Sequence, residues 1–521
     1  MFVTGRRRYN RSVDGRVVGL CLAVAACSRD AARPPAAARS TSDSYLLRIR
    51  VSGNGAVSVG RLGDRCSDDC TYHVLRGKTV TLTAVDEEDV FHAWSNRCGS
   101  DASCQVKMSS DVSIRAEFGL DRYELVWVVP VSSTSCVEVK GIAVGERVVV
   151  AGDIALTGTS PTRSSNQGGS NGFVAALRRQ TGELAWTTPL GDKGVESAST
   201  PQVLSSGEVI AVKTIFTQTA PGLEQKLLWL DGDSGQLLAS TAMSDQVKAI
   251  HPLADSGFVV LTEGSSQVVR FGPATRTAVW TQRLTASGFV SAEGIVATGR
   301  DLVVAAVGRG IASFSIPLGR GPPMATQNGA FLLRLDGGTG VPVSGRWLDA
   351  RVVRHVTSMA MHGPVVALVG AERGPPRQAF VTGLSVDGSA LWEHVYGRAE
   401  DTAFPTIHSV ASSADGFVVA GSTSDRLDLG RRQVGERHRS TTFLAELSPT
   451  GELLWTFAWP LARPGIAVLA TDRDGDLYVA GSFINAFEIA GHRVEPASIS
   501  VPCVSSFVAR FTRTGDRSPG L

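Results

Sequence analysis

The chain lacks a surplus of charge of either sign: 51 lysines and arginines stand against 49 aspartates and glutamates, a formal charge of +2. After the first sixteen residues there is no long basic run, which excludes the broad cationic face that nucleic-acid binding requires. Lysine is absent beyond Lys248, so arginine carries most of the positive charge. Aromatic residues make up only 7%. Also missing are the G-x-S-x-G nucleophile elbow, the H-E-x-x-H zinc helix and the phosphate-cradling G-x-x-x-x-G-K-[ST] loop, three common routes to catalysis. What is plentiful is glycine at 56 and proline at 23, a composition suited to a turn-rich globular β protein.

The first residues are arginine-rich and lead into an apolar run from Val17 to Ala26. That run is about half the ~20 residues needed to span a bilayer, so it reads as the apolar core of an export signal. Its end, "VAAC" from Val24 to Cys27, resembles the bacterial lipobox. The resemblance implies a signal peptide at 1–26, cleavage before Cys27, and lipid, palmitate included, on the Cys27 thiol and amino group. Several acyl chains anchor a protein stably where one does not. By the same resemblance, Ser28 after the cysteine points to the outer membrane of a cell envelope. Residues 27–44, rich in Ala, Pro and Ser, read as a flexible tether.

Of eight cysteines, Cys21 leaves with the signal and Cys27 takes lipid; Cys66, Cys70, Cys98, Cys104, Cys136 and Cys503 remain. An even remainder in an exported chain reads as disulfides, although the first four could by count form a four-thiolate zinc site. Residues 45–120 alternate apolar and polar side chains in short runs such as "YLLRIRVSG" and "KTVTLTAV", the signature of half-buried strands. The stretch "GKTVTLTAVDEEDVFHAWSNRCGSDASCQVKMSSDVSIRAEF" resembles bacterial repeat domains related to the InlB B-repeat. That likeness implies a spacer or adhesive module with Cys66 paired to Cys70 and Cys98 to Cys104.

From 121 to 521 one phrase recurs: "GFVAALRRQTGELAW", "KLLWLDGDSGQLLA", "AFVTGLSVDGSALW", "TFLAELSPTGELLW", each preceded by an apolar run such as "RVVVAG" or "GFVVAG". Phrases and runs each number seven, and their spacing matches propeller blades. Strands apolar on both faces must be covered on both, which blades stacked about an axis achieve. The last repeat stops at "SFVARFTRTGD" with no outer strand, while "YELVWVV" (123–129) stands alone before the first. The fold class is therefore all-β: a seven-bladed β-propeller closed by an N-terminal clasp strand, preceded by a small disulfide-rich β domain. Cys136 and Cys503 then fall in loops on one face and are expected to form a disulfide that locks the clasp.

"ALRRQTGELAW" resembles the tryptophan-docking repeat of PQQ-like propellers, and "FVAxL" with "GFVVAG" resembles the SBBP propeller repeat. Quinoprotein dehydrogenases of that architecture carry an adjacent cysteine pair, which this chain lacks. His251, His355 and His408 are the candidate channel-mouth residues, although metal or acid–base chemistry there needs a further partner. "DGDSG" and "DRDGDLY" have the composition of calcium loops but fall between paired strands, where Asp and Gly make turns. The expectation is a lipid-anchored, non-catalytic envelope protein that binds a protein or glycan through its variable propeller loops, with no cofactor, no metal and no nucleic acid. The competing readings are a propeller hydrolase, lyase or oxidoreductase acting at the channel mouth, and an outer-membrane assembly lipoprotein.

Overall fold

The computed structural model describes residues 44–514 except 53–54, 61–63, 87–89, 96–97, 99–101, 120–121, 133–134, 156–169, 192–194, 217–222, 274, 285–288, 312–326, 349–355, 372–377, 398–403, 431–432, 436–437, 461–467 and 498–503. Cys27, His355 and Cys503 lie outside the described residues, as do the expected signal and the expected tether up to residue 43; Ser44 already belongs to the first strand. Among the described residues there is no α-helix; the chain is all-β.

Two four-stranded sheets come first. One is ordered Cys70–Leu75, Ser44–Ser52, Val112–Gly119, Val90–Trp94, the other Asp64–Cys66, Gly55–Val59, Thr79–Asp86, Ser103–Lys107. Ser44–Ser52 runs parallel to Val112–Gly119. Their shared core gathers Leu47, Ile49, Val57, Leu82, Ile114 and Trp94, the last packed against Phe91 with ring centroids 5.0 Å apart. Cys66 is bonded to Cys70 and Cys98 to Cys104. A core this small gains from such short-range staples, each worth on the order of 2–3 kcal/mol.

Seven further four-stranded sheets follow among the described residues. Sheet 1 is Cys136–Val144, Arg147–Ala155, Ser170–Arg178 and Leu184–Pro189. Sheet 2 runs from Val195–Val203 to Leu237–Met243, sheet 3 from Val247–Pro252 to Ala278–Arg283, and sheet 4 from Phe289–Thr298 to Pro342–Trp347. Sheet 5 runs from Val356–His362 to Ala390–Tyr396 and sheet 6 from Thr406–Ser412 to Leu453–Pro460. In the last sheet Val468–Thr471, Leu477–Phe483 and Ser505–Arg513 are joined by Tyr123–Pro130, which pairs antiparallel with Ser505–Arg513 from Tyr123↔Arg513 to Pro130↔Phe507. The first strand of each sheet lies against the first strand of the next, and Cys136–Val144 also lies against Val468–Thr471.

Burial follows strand position. Phe258–Thr262, Phe417–Thr423 and Leu477–Phe483 are buried at every residue, whereas fourth strands such as Ala278–Arg283 alternate exposed and half-buried. Only strands covered on both faces tolerate unbroken apolar sequence. The tryptophans of the fourth strands join sheets. Trp186 donates its indole N–H to Gly232 O (2.9 Å), Trp280 to Gly337 O (3.3 Å) and Trp392 to Pro449 O (2.8 Å), each in a turn of the following sheet. Trp127, on the N-terminal strand, does the same to Arg179 O of sheet 1 at 3.0 Å. Each receiving turn holds a glycine at positive φ (Gly182, Gly235, Gly340, Gly451) against the incoming ring. Trp455 follows another course and packs on Tyr123, 5.0 Å between ring centroids. The seventh sheet takes its fourth strand from elsewhere in the chain, so no turn between its third and fourth strands exists to receive that indole.

Candidate functional site

The first strands, which pack on one another from sheet to sheet, carry a belt of polar side chains. Six of them hold a β-bulge: between Val139 and Gly141, Ser199 and Gln202, Val247 and Ala249, Ala292 and Gly294, Val356 and Ser358, and Ile407 and Ser409. A bulge inserts a residue without a ladder partner and re-aims its side chain. The inserted residues include Lys140, Lys248, Glu293, Thr357 and His408. A small residue follows each one, and the next sheet requires it. A Cβ on Gly141 would lie 2.4 Å from Pro201, and one on Gly294 would lie 2.7 Å from Met359. Ser358 and Ser409 instead accept the backbone N–H of Val410 and Leu469 across the gap, both at 3.3 Å.

The bulge side chains are engaged with one another and with neighbouring sheets. Lys140 Nζ lies 2.5 Å from Asp153 Oδ2 and 2.9 Å from Ser197 Oγ of sheet 2. Lys248 Nζ is 3.2 Å from Glu293 Oε2, an ion pair between sheets 3 and 4 without hydrogen-bond alignment. Thr357 donates to Ile407 O at 2.9 Å, tying sheet 5 to sheet 6. Within sheet 2, buried Glu196 and Lys213 pair at 3.2 Å. A charge buried as deeply as Glu196 or Lys213 costs several kcal/mol to desolvate when it stands alone, a cost that pairing offsets.

His408 is a bulge residue, with Nε2 3.1 Å from Ser422 Oγ and 3.2 Å from Thr406 Oγ1; burial lowers its pKa. His251 stands three positions beyond its own sheet's bulge residue, Lys248, and so does not share His408's place. Its Nε2 accepts the Ala297 N–H of sheet 4 at 3.1 Å, and burial pushes its pKa down to about 4. The residue matching His408 in sheet 5 is Thr357, two positions after His355. Among the described residues no group of three or more His, Cys, Asp or Glu side chains is arranged to hold a metal.

At the opposite, hairpin end of the first strands, turns from sheets 1, 2, 3 and 7 line a cavity of about 910 Å³. Two of its arginines are paired: Arg147 with Asp233 (2.5 Å) and Arg179 with Asp474 (2.9 Å). Asp231 accepts the backbone N–H of Ser234 at 2.8 Å and its hydroxyl at 2.7 Å, contacts that lower its pKa. Asp472 accepts the N–H groups of Asp474 and Asp476, both at 3.0 Å. These carboxylates build turns. Of the long variable loops, 156–169 and 312–326 lie outside the described residues, whereas the loop of sheet 6 holds a short hairpin, Leu427–Asp428 with Gln433–Val434. Sheet 7 holds another, Phe487–Ile489 with His492–Val494.

Sequence reading missed the bulge belt, although its mark is present. Val-Lys-Gly-Ile at 139–142, Val-Lys-Ala-Ile at 247–250, Ala-Glu-Gly-Ile at 292–295 and Ile-His-Ser-Val at 407–410 share an apolar–polar–small–apolar pattern.

No protein-family model and no curated protein matches the chain. Among solved structures it is similar to BamB from Moraxella catarrhalis, at 13% identity over 76% of this chain and 97% of that one, TM-score 0.36. It is similar also to quinohemoprotein alcohol dehydrogenase from Comamonas testosteroni, at 12% identity over 75% and 76%, TM-score 0.40. A third is the Dos1 propeller, at 11% identity over 75% and 95%, TM-score 0.39.

Proposed function

We propose that residues 121–521 form a seven-bladed β-propeller closed by Tyr123–Pro130, carried by a small disulfide domain at 45–120 on a lipid anchor at Cys27. In this reading the protein is a non-catalytic binding platform of the cell envelope, in the outer membrane, and holds a protein or glycan on the face where its loops vary. Closure is supported by the pairing of Tyr123–Pro130 with Ser505–Arg513 and by the packing of the first strand of sheet 1 on that of sheet 7. A Cys136–Cys503 bond across the closure is supported by two facts. Cys136 is disulfide-bonded, and Val137 N–H donates to Val504 O at 3.1 Å.

The observation that carries the non-catalytic reading is the pairing of the central charges. Lys140, Lys248, Glu293, Glu196 and Lys213 each hold an opposite charge of their own or the adjoining sheet. An acid–base catalyst must instead reach substrate with a proton to give or take.

The test places a photo-reactive side chain at Phe404, exposed ahead of the first strand of sheet 6, and separately at Leu391, exposed on the fourth strand of sheet 5. Irradiated in cells, the Phe404 site is expected to give one discrete adduct in the envelope fraction and the Leu391 site none. Cys27→Ser is expected to release the protein from membranes. Adducts from Leu391 alone, or an unchanged membrane fraction for Cys27→Ser, would overturn the reading.

A further inference from the structure

In each of the seven sheets the turns joining first to second and third to fourth strands lie at one end, and the connection from second to third strand lies at the other. Contacts between hairpin turns of neighbouring sheets, such as Trp186 with Gly232 and Ser205 with Ser256, keep the sheets in the same sense. The array therefore has a hairpin end and a loop end.

The small domain stands at the loop end of sheets 6 and 7. Arg50, Ser113 and Arg115 share a cleft with His438 and Arg439, in the connection of sheet 6, and with Asn485, in that of sheet 7. Asp68 pairs with Arg426 of the sheet 6 connection at 3.0 Å. Strand Val112–Gly119 leads from this cleft to Tyr123, and the pairing of Tyr123 with Arg513 puts Tyr123 at the hairpin end. Ser44–Ser52 is parallel to Val112–Gly119, with Leu47 opposite Val112. Its N-terminal end, where the chain arrives from residues 27–43, consequently points away from the hairpin end.

An exposed apolar rung lies at the same end of the array. Val195, Phe216 and Leu223 are register partners across the first three strands of sheet 2, at the last ladder position before the loop, and are 37%, 44% and 42% exposed. Cross-strand partners share one face of a sheet, so the three side chains form a continuous patch. Among the described residues the exposed large aromatic side chains are Phe216 and Phe404, and both lie at the loop end; the Phe404 N–H donates to Ser424 of the sheet 6 connection at 3.1 Å. Beside the rung, Glu224 and Lys226 pair with each other at 3.1 Å.

We propose that Phe216, with Val195 and Leu223, enters the headgroup region of the bilayer that holds the protein. The proposal rests on the lipid anchor read at Cys27. A coil as long as residues 27–43 has a root-mean-square span of roughly 20–25 Å. The anchor therefore keeps the loop end close to the membrane surface, which it meets as an intramolecular partner even where the contact alone is weak. Exposed apolar side chains, one of them aromatic, suit the boundary between headgroups and acyl chains. A protein surface would in addition call for polar groups around the patch to fix its orientation, and the two charges beside it are already paired. The contact gives the loop face a definite orientation: a partner held there is one that lies in or on the same membrane.

The test reconstitutes the acylated full chain, its acylation checked by intact mass, into vesicles of phosphatidylethanolamine and phosphatidylglycerol. A fluorescent side chain is placed at Phe216 or, as a control, at Leu184, which is 56% exposed and lies at the hairpin end. Lipids spin-labelled near the headgroup are expected to quench the Phe216 site several-fold more than the Leu184 site. With the label at Val195, Phe216→Ser/Leu223→Ser is expected to abolish the quenching and leave the thermal midpoint unchanged, since both side chains are exposed. The proposal is overturned by equal quenching at Phe216 and Leu184, by quenching that survives the serine pair, or by a discrete protein adduct in place of lipid from a photo-reactive side chain at Phe216 in cells. An intact mass without lipid would refute the anchor, and the orientation with it. Cross-linking from Phe404 is expected to be unaffected by the serine pair, so failure of the lipid contact is separable from failure of the binding platform.

Discussion

His251 shows how much one buried side chain commits the protein to a pH range. Its ring accepts a hydrogen bond from Ala297 and is held neutral, so the folded group protonates only near pH 4 rather than 6.5. A folded pKa below the unfolded one means that the unfolded chain binds the proton first. The residue's full contribution is therefore present above about pH 6.5 and is lost as pH falls toward 4. Between pH 7 and 4.5 the parent is expected to lose ~2–3 kcal/mol more unfolding free energy than His251→Gln, measured by urea denaturation at both pH values. An equal loss in both proteins would show that the imidazole is solvated in the native state. The sequence marked His251 as a candidate channel-mouth residue but not its acceptor role, because the Ala297 N–H arrives from a different sheet.

At the scale of the strand and turn, the repeat works through a shared geometry. The Arg179 carbonyl receives both the Trp127 indole and Arg510 Nη1, each at 3.0 Å; Gly232 O receives Trp186 and Arg147; Gly337 O receives Trp280 and Arg270. Each turn must bring its backbone against an aromatic ring, which a Cβ would prevent. Gly182 has φ +72°, and a Cβ there would fall 2.8 Å from Trp127; Gly207 has φ +88° with open space around it. Alanine at Gly207 incurs only the left-handed backbone cost, on the order of 1 kcal/mol, whereas alanine at Gly182 adds a clash and is expected to cost ~1–2 kcal/mol more. Chemical denaturation of the two variants checks the difference, and equal losses would refute the docking role of the turn. The phrase ending in tryptophan was legible; the carbonyl it reaches was not, since that atom belongs to the following repeat.

Over the whole molecule the consequential contact is the seam between distant parts of the chain. Buried Glu446 accepts Tyr123 Oη at 3.2 Å and Ser413 Oγ at 2.7 Å, while Ser506 Oγ accepts Val139 N–H and donates to Val137 O, both at 2.9 Å. If Cys136 and Cys503 are bonded there, Cys136→Ser, Cys503→Ser and the double variant are expected to lose the same amount, ~2–4 kcal/mol. Amide exchange is then expected to quicken at Val128 and Ala509 before Val212. Additive losses in the double variant would mean that the two cysteines act separately.

The sequence by itself determined where strands lie, which of them are covered on both faces, and that Tyr123–Val129 lacks a partner nearby. Those properties rest on period-two alternation and on turn residues, which act over a few positions. Only the tertiary structure decided which polar residues the bulges insert between sheets, that Trp455 meets Tyr123 in place of a turn, and that Arg50, Arg115, Arg439 and Arg493 border one cleft. Asp68 and Arg426, paired at 3.0 Å, are 358 positions apart. Side chains so separated meet only when whole sheets have packed, because close packing fixes their neighbours and local propensity does not.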